Sequence, residues 1–243
     1  MSYDGRLMTD ASEPLARTER LDTVGELIIN RPERRNALTS ETITALHEGL
    51  DALIADPEVK AILIRGEGDS FTSGMDVSKE IATDRLDRWR RFHAAIYACP
   101  KPIVGALQRY AIAGGSALAF ACDFLIVGET ARIDTSEVRI GMAATMNVVW
   151  LQLKWGIRVG YRFALAGQPI LGPELVTLGV ATKSVPDDEV LDEARAYAAM
   201  LTEYDAWAMG SVKSALQNQQ GTTGSEGFES LVLAAQAAQL PRP

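Results

Sequence analysis

Two junctions between an apolar run and a set of glycines are where this sequence could do chemistry. In the first, Ile62-Leu63-Ile64 leads through a glycine-rich loop to Phe71-Thr72-Ser73-Gly74-Met75-Asp76. In the second, Ile103-Val104-Gly105-Ala106-Leu107 leads to Gly114-Gly115-Ser116 at the start of a small-residue helix. Glycine lets backbone approach a ligand closely, and a helix start leaves N–H groups without intrahelical acceptors. Two such N–H groups aimed at one point make an oxyanion hole. Taken singly, either loop is also an ordinary turn. Neither carries a nucleotide signature such as GxGxxG or a P-loop, and Gly114-Gly115-Ser116-Ala117-Leu118 departs from the GxSxG elbow at its last position.

The titratable candidates are few. Glu137 follows a strand-like run, Ala131-Arg132-Ile133; as one of 32 acids its default role is capping or solvation. His47 sits within an amphipathic helix and reads as a boundary residue. His93 follows a basic helical stretch and reads the same way, although it could reach a ligand. A Ser116/His93/Asp123 triad can be drawn on paper only. Arg31, Arg34 and Arg35, and separately Lys79, Arg85, Arg88, Arg90 and Arg91, could hold phosphates, but such sets are usually solvated faces. No metal-ligand spacing occurs.

The elements that must position these groups alternate. The pattern predicts short strands at 15–19 and 24–30 joined at Asp22, then a helix capped by Ser40 with Ile43, Leu46, Leu50 and Leu53 at helical spacing. Further strands are expected at 61–64, 103–107, 124–127 and 180–185, and helices at 78–98, 114–121, 144–155, 160–166 and 173–178. From 187 onward the chain reads as helical, over 188–202, 204–219 and 225–239. Alternation through 1–186 implies an α/β fold with a largely parallel sheet, and 187–243 reads as a helical region that covers the core or packs on another subunit.

The 243 residues, 47% hydrophobic and 23% charged, suit a globular chain with a sizeable core. A net charge of −8 argues against a general nucleic-acid or anionic-membrane binder. Cys99 and Cys122 form no CxxC pattern and lie in apolar stretches, against a disulfide framework. The polar first 14 residues read as a loose leader without a signal peptide, and the longest uncharged runs are too short to span a bilayer, so the chain is expected to be soluble and cytoplasmic.

Taken together, the motifs resemble the crotonase, or enoyl-CoA hydratase/isomerase, family over about residues 24–220. Arg31-Pro32-Glu33-Arg34-Arg35-Asn36-Ala37-Leu38 is similar to its opening signature. Phe71 to Asp76 is similar to its first oxyanion loop, and Lys101 to Gly115 to its second. Ala121-Cys122-Asp123, Ala131-Arg132-Ile133 and Gly167-Gln168-Pro169-Ile170 follow in register. The resemblance implies a spiral of ββα units with a helical C-terminal oligomerisation region, and a homotrimer or dimer of trimers. It implies an acyl-CoA thioester substrate, with no cofactor beyond the CoA of that substrate. The N–H groups of Ser73 and Gly114 would hold the thioester oxygen. Ser73, Gly74, Met75, Asp76 and Gly114 would line the CoA path, with Asp76 and Asp123 better regarded as structural.

Departures from the family pattern narrow the reaction. Family hydratases carry two glutamates; here the first position is Ala117 and the second Glu137. Hydration needs a base for water and an acid for the α-carbon, whereas moving a double bond needs one group that takes a proton from C2 and returns it at C4. A lone Glu137 therefore points to 3-enoyl to 2-enoyl isomerisation. Hydration or another enolate reaction assisted by a fixed water or Asp134, thioester hydrolysis, and non-catalytic acyl-CoA binding are the alternatives. The acids of the family's dienoyl isomerases would fall at Ala117 and Thr145. Ala113, Asp134 and Ser136 replace the usual Gly, Gly and Pro, and Ala143-Ala144-Thr145-Met146-Asn147 replaces a Pro-Gly-x-Gly-Gly run, so a remodelled pocket floor is expected.

Overall fold

The computed structural model describes residues 13–78, 84–219, 221 and 223–240. Most of the expected leader, and Lys79, lie outside them. The chain opens with β1 (Ala16–Leu21) and β2 (Val24–Ile29), an antiparallel hairpin whose turn is made by Asp22 at φ +55°. Helix α1 (Ser40–Ala55) follows; its cap is Thr39, whose Oγ1 accepts from the Thr42 N–H at 3.2 Å, one residue before the expected Ser40. Next come β3 (Ala61–Gly66), α2 (Arg85–Ala98), β4 (Ile103–Leu107), β5 (Tyr110–Ile112) and α3 (Gly114–Ala121). They are followed by β6 (Phe124–Gly128), β7 (Arg132–Asp134), α4 (Thr145–Gly160), β8 (Ile170–Leu171), α5 (Gly172–Thr177) and β9 (Lys183–Val185). Helices α6 (Val190–Thr202), α7 (Ala206–Gln219) and α8 (Gly224–Ala237) complete it. The strand expected over 180–185 starts late because the Val180 and Ala181 N–H groups both donate to Leu175 O, closing α5.

Six strands form one sheet in the order β1-β2-β3-β4-β6-β9, parallel from β2 onward. A second, smaller sheet holds β5, β7 and β8. Each turn of the chain passes from the large sheet into the second layer and then into a helix: β4-β5-α3 and β6-β7-α4 show it in full. The loop after β3 does the same with a single bridge, Thr72 beside Ala111, and the segment after β2 with another, Leu38 beside Met75. This is the ββα spiral that the family resemblance implied. It stacks residues 38, 75, 111–112 and 133–134 side by side in the second layer, although they are far apart in the chain.

Strand alternation divides the core. On β3, Ile62 and Ile64 join the main core with α1, α2 and α3, while Leu63 faces the other way with Val104, Ile126 and the α6 residues Val190, Ala194, Ala198 and Leu201. Helix α8 covers α2 and α4 through buried Phe228 and Val232, and Phe228 packs on Trp150 with tilted rings whose centroids are 4.7 Å apart. By contrast, no residue from 206 to 218 on α7 is buried. No helix among the described residues is long and apolar enough to cross a membrane.

One buried charge cluster ties the sheet to α6. Glu26, fully buried on β2, accepts from Arg65 Nε at 2.6 Å and from Arg195 Nε of α6 at 2.6 Å. Burial alone would raise its pKa, but the Arg195 and Arg65 hydrogen bonds prevail and hold it below the ordinary carboxylate value. Arg65→Leu removes one of the two guanidinium donors and leaves Glu26 with Arg195 alone, so it is expected to lower stability by about 2 kcal/mol at neutral pH, read from urea unfolding. Because the folded-state pKa is depressed, the stabilisation from this cluster is complete above the unfolded value and is lost as pH falls through the folded one. The difference between wild type and variant should therefore shrink in acid.

Candidate active site

The opening motif of the chain turns out to build the first glycine loop. Asn36, fully buried at φ +55°, receives the Arg31 N–H on Oδ1 and donates from Nδ2 to Glu67 O and Ser70 O at 2.9 and 2.7 Å. Its own carbonyl accepts from Thr72 Oγ1 at 2.6 Å, and Thr72 Oγ1 in turn accepts the Gly74 N–H at 3.1 Å. On either side of Met75, Leu38 N donates to Gly74 O and Asp76 N to Leu38 O, at 2.8 and 2.9 Å. The Asp76 carboxylate is fixed by the Ser78 hydroxyl and N–H and by Arg31, which hold its pKa down at about 2. Its interactions are those of a structural anion.

This bonding corrects one expectation. The Ser73 N–H donates to Arg35 O at 3.0 Å, so it is not available to a thioester oxygen. The N–H two residues later, on half-exposed Met75, has no acceptor among the described residues, and neither has that of Gly114. Gly114 opens α3 after Ala113, which holds φ +50° and ψ −112°, a conformation that costs an L-residue of order 1–3 kcal/mol. Three neighbours hold Ala113 there: its N–H donates to Asp134 O at 2.9 Å, and its carbonyl accepts from the Ser116 N–H and the Asn147 side chain at 2.9 and 3.1 Å. The two loops touch: a Cβ built on Gly74 would lie 3.3 Å from Gly114 N, and one on Gly114 3.7 Å from Met75 N. A Cβ at position 114 would also meet the Met75 side chain at 3.3 Å, so glycine there lets the two free amides approach each other.

Glu137 begins a short 3-10 turn, Glu137–Ile140, directly after β7, and β7 pairs with β5, the strand that delivers Ala113 and Gly114. The residue is 8% exposed. Oε1 accepts from Asn147 Nδ2 at 2.7 Å, and Oε2 is buried without a partner among the described residues. Burial raises its pKa, opposed by its own N–H and by Asn147, while Asp134 adds repulsion. Asp134 itself is held by both oxygens on Arg139 Nη2, at 2.8 and 3.0 Å. Ala117, where a second acid would stand, is fully buried on α3.

The other candidates are engaged elsewhere. Ser116 Oγ donates to Ala111 O, Asp123 accepts from Ile103 N and Lys213, and His93 Nδ1 accepts from Trp150 Nε1 at 2.8 Å, so the paper triad is not assembled. Complete burial pushes His93 down to about 3, which makes it a neutral core residue. Of the basic sets, Arg31 is buried on Ala37 O and Asp76, and Arg85 on Asp76 O. Arg88, Arg90 and Arg91 pair with Asp84, Asp87 and Glu229. Arg34 and Arg35 stay exposed beside the first loop. Among the described residues no group of three or more His, Cys, Asp or Glu is placed to hold a metal ion. Asn147 Nδ2 links Glu137 to the glycine turn, a connection that its position within a departing segment did not reveal.

Two glycine loops and one buried carboxyl thus sit together on a ββα spiral, and the chain is similar to known proteins over nearly its whole length. The enoyl-CoA hydratase/isomerase family model matches residues 19–233. A Thermus thermophilus relative named as an enoyl-CoA hydratase is 33% identical over 221 residues, 87% of each chain. The crystal structure of an enoyl-CoA hydratase from Mycobacterium avium subsp. paratuberculosis superposes with a TM-score of 0.81 at 26% identity, over 93% of this chain and 95% of that one. That of an enoyl-CoA hydratase/isomerase from Xanthobacter autotrophicus Py2 gives 0.80 at 27% identity, over 91% and 84%. The chain belongs to the enoyl-CoA hydratase/isomerase family, and is an acyl-CoA enzyme of that family.

Proposed function

We propose that the protein moves a double bond, converting a 3-enoyl-CoA to the 2-enoyl-CoA. The carrying observation is the single buried carboxyl: Glu137 has one oxygen held and one free, Ala117 replaces the second acid, and Asp134 is engaged by Arg139. In this reading the Met75 and Gly114 N–H groups donate to the thioester oxygen and stabilise the enolate that forms when Glu137 removes a C2 proton. The same carboxyl, now protonated, returns the proton at C4. The raised pKa supports this, since a carboxyl must both accept and release the proton. CoA enters as part of the substrate, and the proton shuttle calls on no further cofactor. We also propose assembly as a homotrimer or dimer of trimers, supported by the exposed apolar run of Ile140, Met142, Ile157, Tyr161 and Leu165.

Hydration is the second reading, favoured by the hydratase names of the relatives. One experiment separates the two. Supplied with a 3-enoyl-CoA, the enzyme should produce the conjugated 2-enoyl thioester, seen as rising ultraviolet absorbance. Supplied with the 2-enoyl-CoA, it should form no 3-hydroxyacyl-CoA by mass spectrometry. A hydroxyacyl product without any double-bond migration would overturn isomerisation.

A further inference from the structure

We propose that Asn147 is a positioning residue for the reaction: it fixes Glu137 by one oxygen, leaves Oε2 as the proton-carrying atom, and ties that carboxyl to the turn that aims the Gly114 N–H. Its catalytic side rests on the isomerase reading; its geometric side does not. Asn147 lies on the first turn of α4 and is 1% exposed. Its Nδ2 donates to Glu137 Oε1 at 2.7 Å and to Ala113 O at 3.1 Å, so both amide hydrogens have acceptors. The side chain can face this pair in one orientation only. Turned over, its carbonyl would point at a carboxylate and a backbone carbonyl, two acceptors with no hydrogen between them.

The consequences follow from what each acceptor belongs to. Ala113 is the strained residue before Gly114, and the hydrogen bond from Asn147 to its carbonyl helps hold ψ at −112° beside φ +50°. Glu137 Oε1 is occupied, so a proton taken from substrate must go to Oε2, which has no partner among the described residues. A bond to the charged form also favours the carboxylate, offsetting part of the burial that disfavours it. The charged or titratable groups around Glu137 are few. Asp134 and Arg139 pair with each other on its own segment; Tyr161 and Arg162 lie on the neighbouring turn, Arg162 on Glu174; and Lys154 of α4 donates to Ala121 O and Cys122 O. Helix α3 contributes none.

The test uses Asn147→Leu, which keeps the volume and removes both donors, and Asn147→Asp, which keeps the shape and places a second carboxyl there. The protonated Glu137 carboxyl gives an infrared band, assigned by its loss in Glu137→Gln, and its midpoint is followed against pH. In Asn147→Leu the midpoint should move to higher pH, and in Asn147→Asp further still, as two carboxyls resist sharing charge. With a 3-enoyl-CoA, kcat should fall roughly 10- to 100-fold with KM within about threefold, as for a misplaced reacting group, and the acid limb of kcat should follow the infrared midpoint. An unchanged midpoint in both variants would overturn the proposal, whatever happened to activity, because a merely structural side chain would not hold the carboxyl. Should Asn147→Leu not fold, Asn147→Ala, which likewise removes both donors and adds no charge, carries the same measurement. If wild type fails to isomerise any 3-enoyl-CoA, the reaction assigned above is wrong, while the infrared titration still decides the role of Asn147.

Discussion

Glu137→Gln is expected to cut turnover of a 3-enoyl-CoA by about 10³-fold, within the range for loss of a general acid–base, while the Kd for an acyl-CoA changes little. The glutamine keeps the shape and can still meet Asn147, but it cannot take the C2 proton. The amides of Met75 and Gly114 are untouched, which is why binding survives. The same carboxyl sets the pH profile. It must start ionised, so kcat falls on the acid side as Glu137 is protonated, and because burial raises its pKa that limb lies above where an ordinary glutamate would put it. Linkage then makes a further demand. A carboxyl whose folded pKa exceeds its unfolded one stabilises the fold least where it is charged, so stability falls as pH rises from the unfolded value through the folded one. Glu137→Gln should therefore be more stable than wild type at neutral pH and lose that advantage in acid, as measured by urea unfolding at both. A variant that turns over normally would remove Glu137 from the mechanism.

That opposition between stability and use shows why some of the site was legible in the sequence and some was not. The continuous apolar runs of β3 and β4, buried on both faces, and the 3.6-residue spacing on α1 were legible, and they fix the large sheet. The strands of the second layer could not be read this way. β5, β7 and β8 have two or three residues each, and the segments around Leu38 and Thr72 contribute single bridges. They exist because the spiral stacks them, not because local propensity favours them. Yet that layer brings the loops of Met75 and Gly114 and the start of the Glu137 turn together. Ordered motifs pointed to the two loops and the carboxyl, but choosing which N–H is free requires knowing where the others go. Ser73 and Met75 are indistinguishable in sequence; the Arg35 carbonyl decides between them. Asn147 was hidden for the same reason, since its meaning lies in two acceptors on other segments.

Gly74→Ala should place a severely damaging methyl group beside the two free amides. Gly74 holds φ +84°, and an added Cβ would lie 2.3 Å from Ile112 O. That carbonyl belongs to β5, whose Ile112 N–H donates to Thr72 O, and Gly74 itself is fixed through its N–H on Thr72 Oγ1 and its carbonyl from Leu38 N. Relief can come in two ways. Rotating φ re-aims the Met75 N–H that follows; pushing β5 away displaces Ala113 and Gly114. Either route spoils the pair of amides, so turnover should drop by roughly 10²–10³-fold, the usual effect of losing one oxyanion donor. Gly179 supplies the control. It has φ +69° with nothing within 4 Å of its would-be Cβ, so Gly179→Ala carries the dihedral penalty without the clash. It should lose about 1 kcal/mol of stability and keep full turnover. Gly74→Ala should lose more than that by urea unfolding, together with its activity on a 3-enoyl-CoA. If the two variants were equally stable and equally active, Met75 and Gly114 could not be the groups on which the thioester oxygen depends, because the loop that presents them would have been shown to tolerate movement.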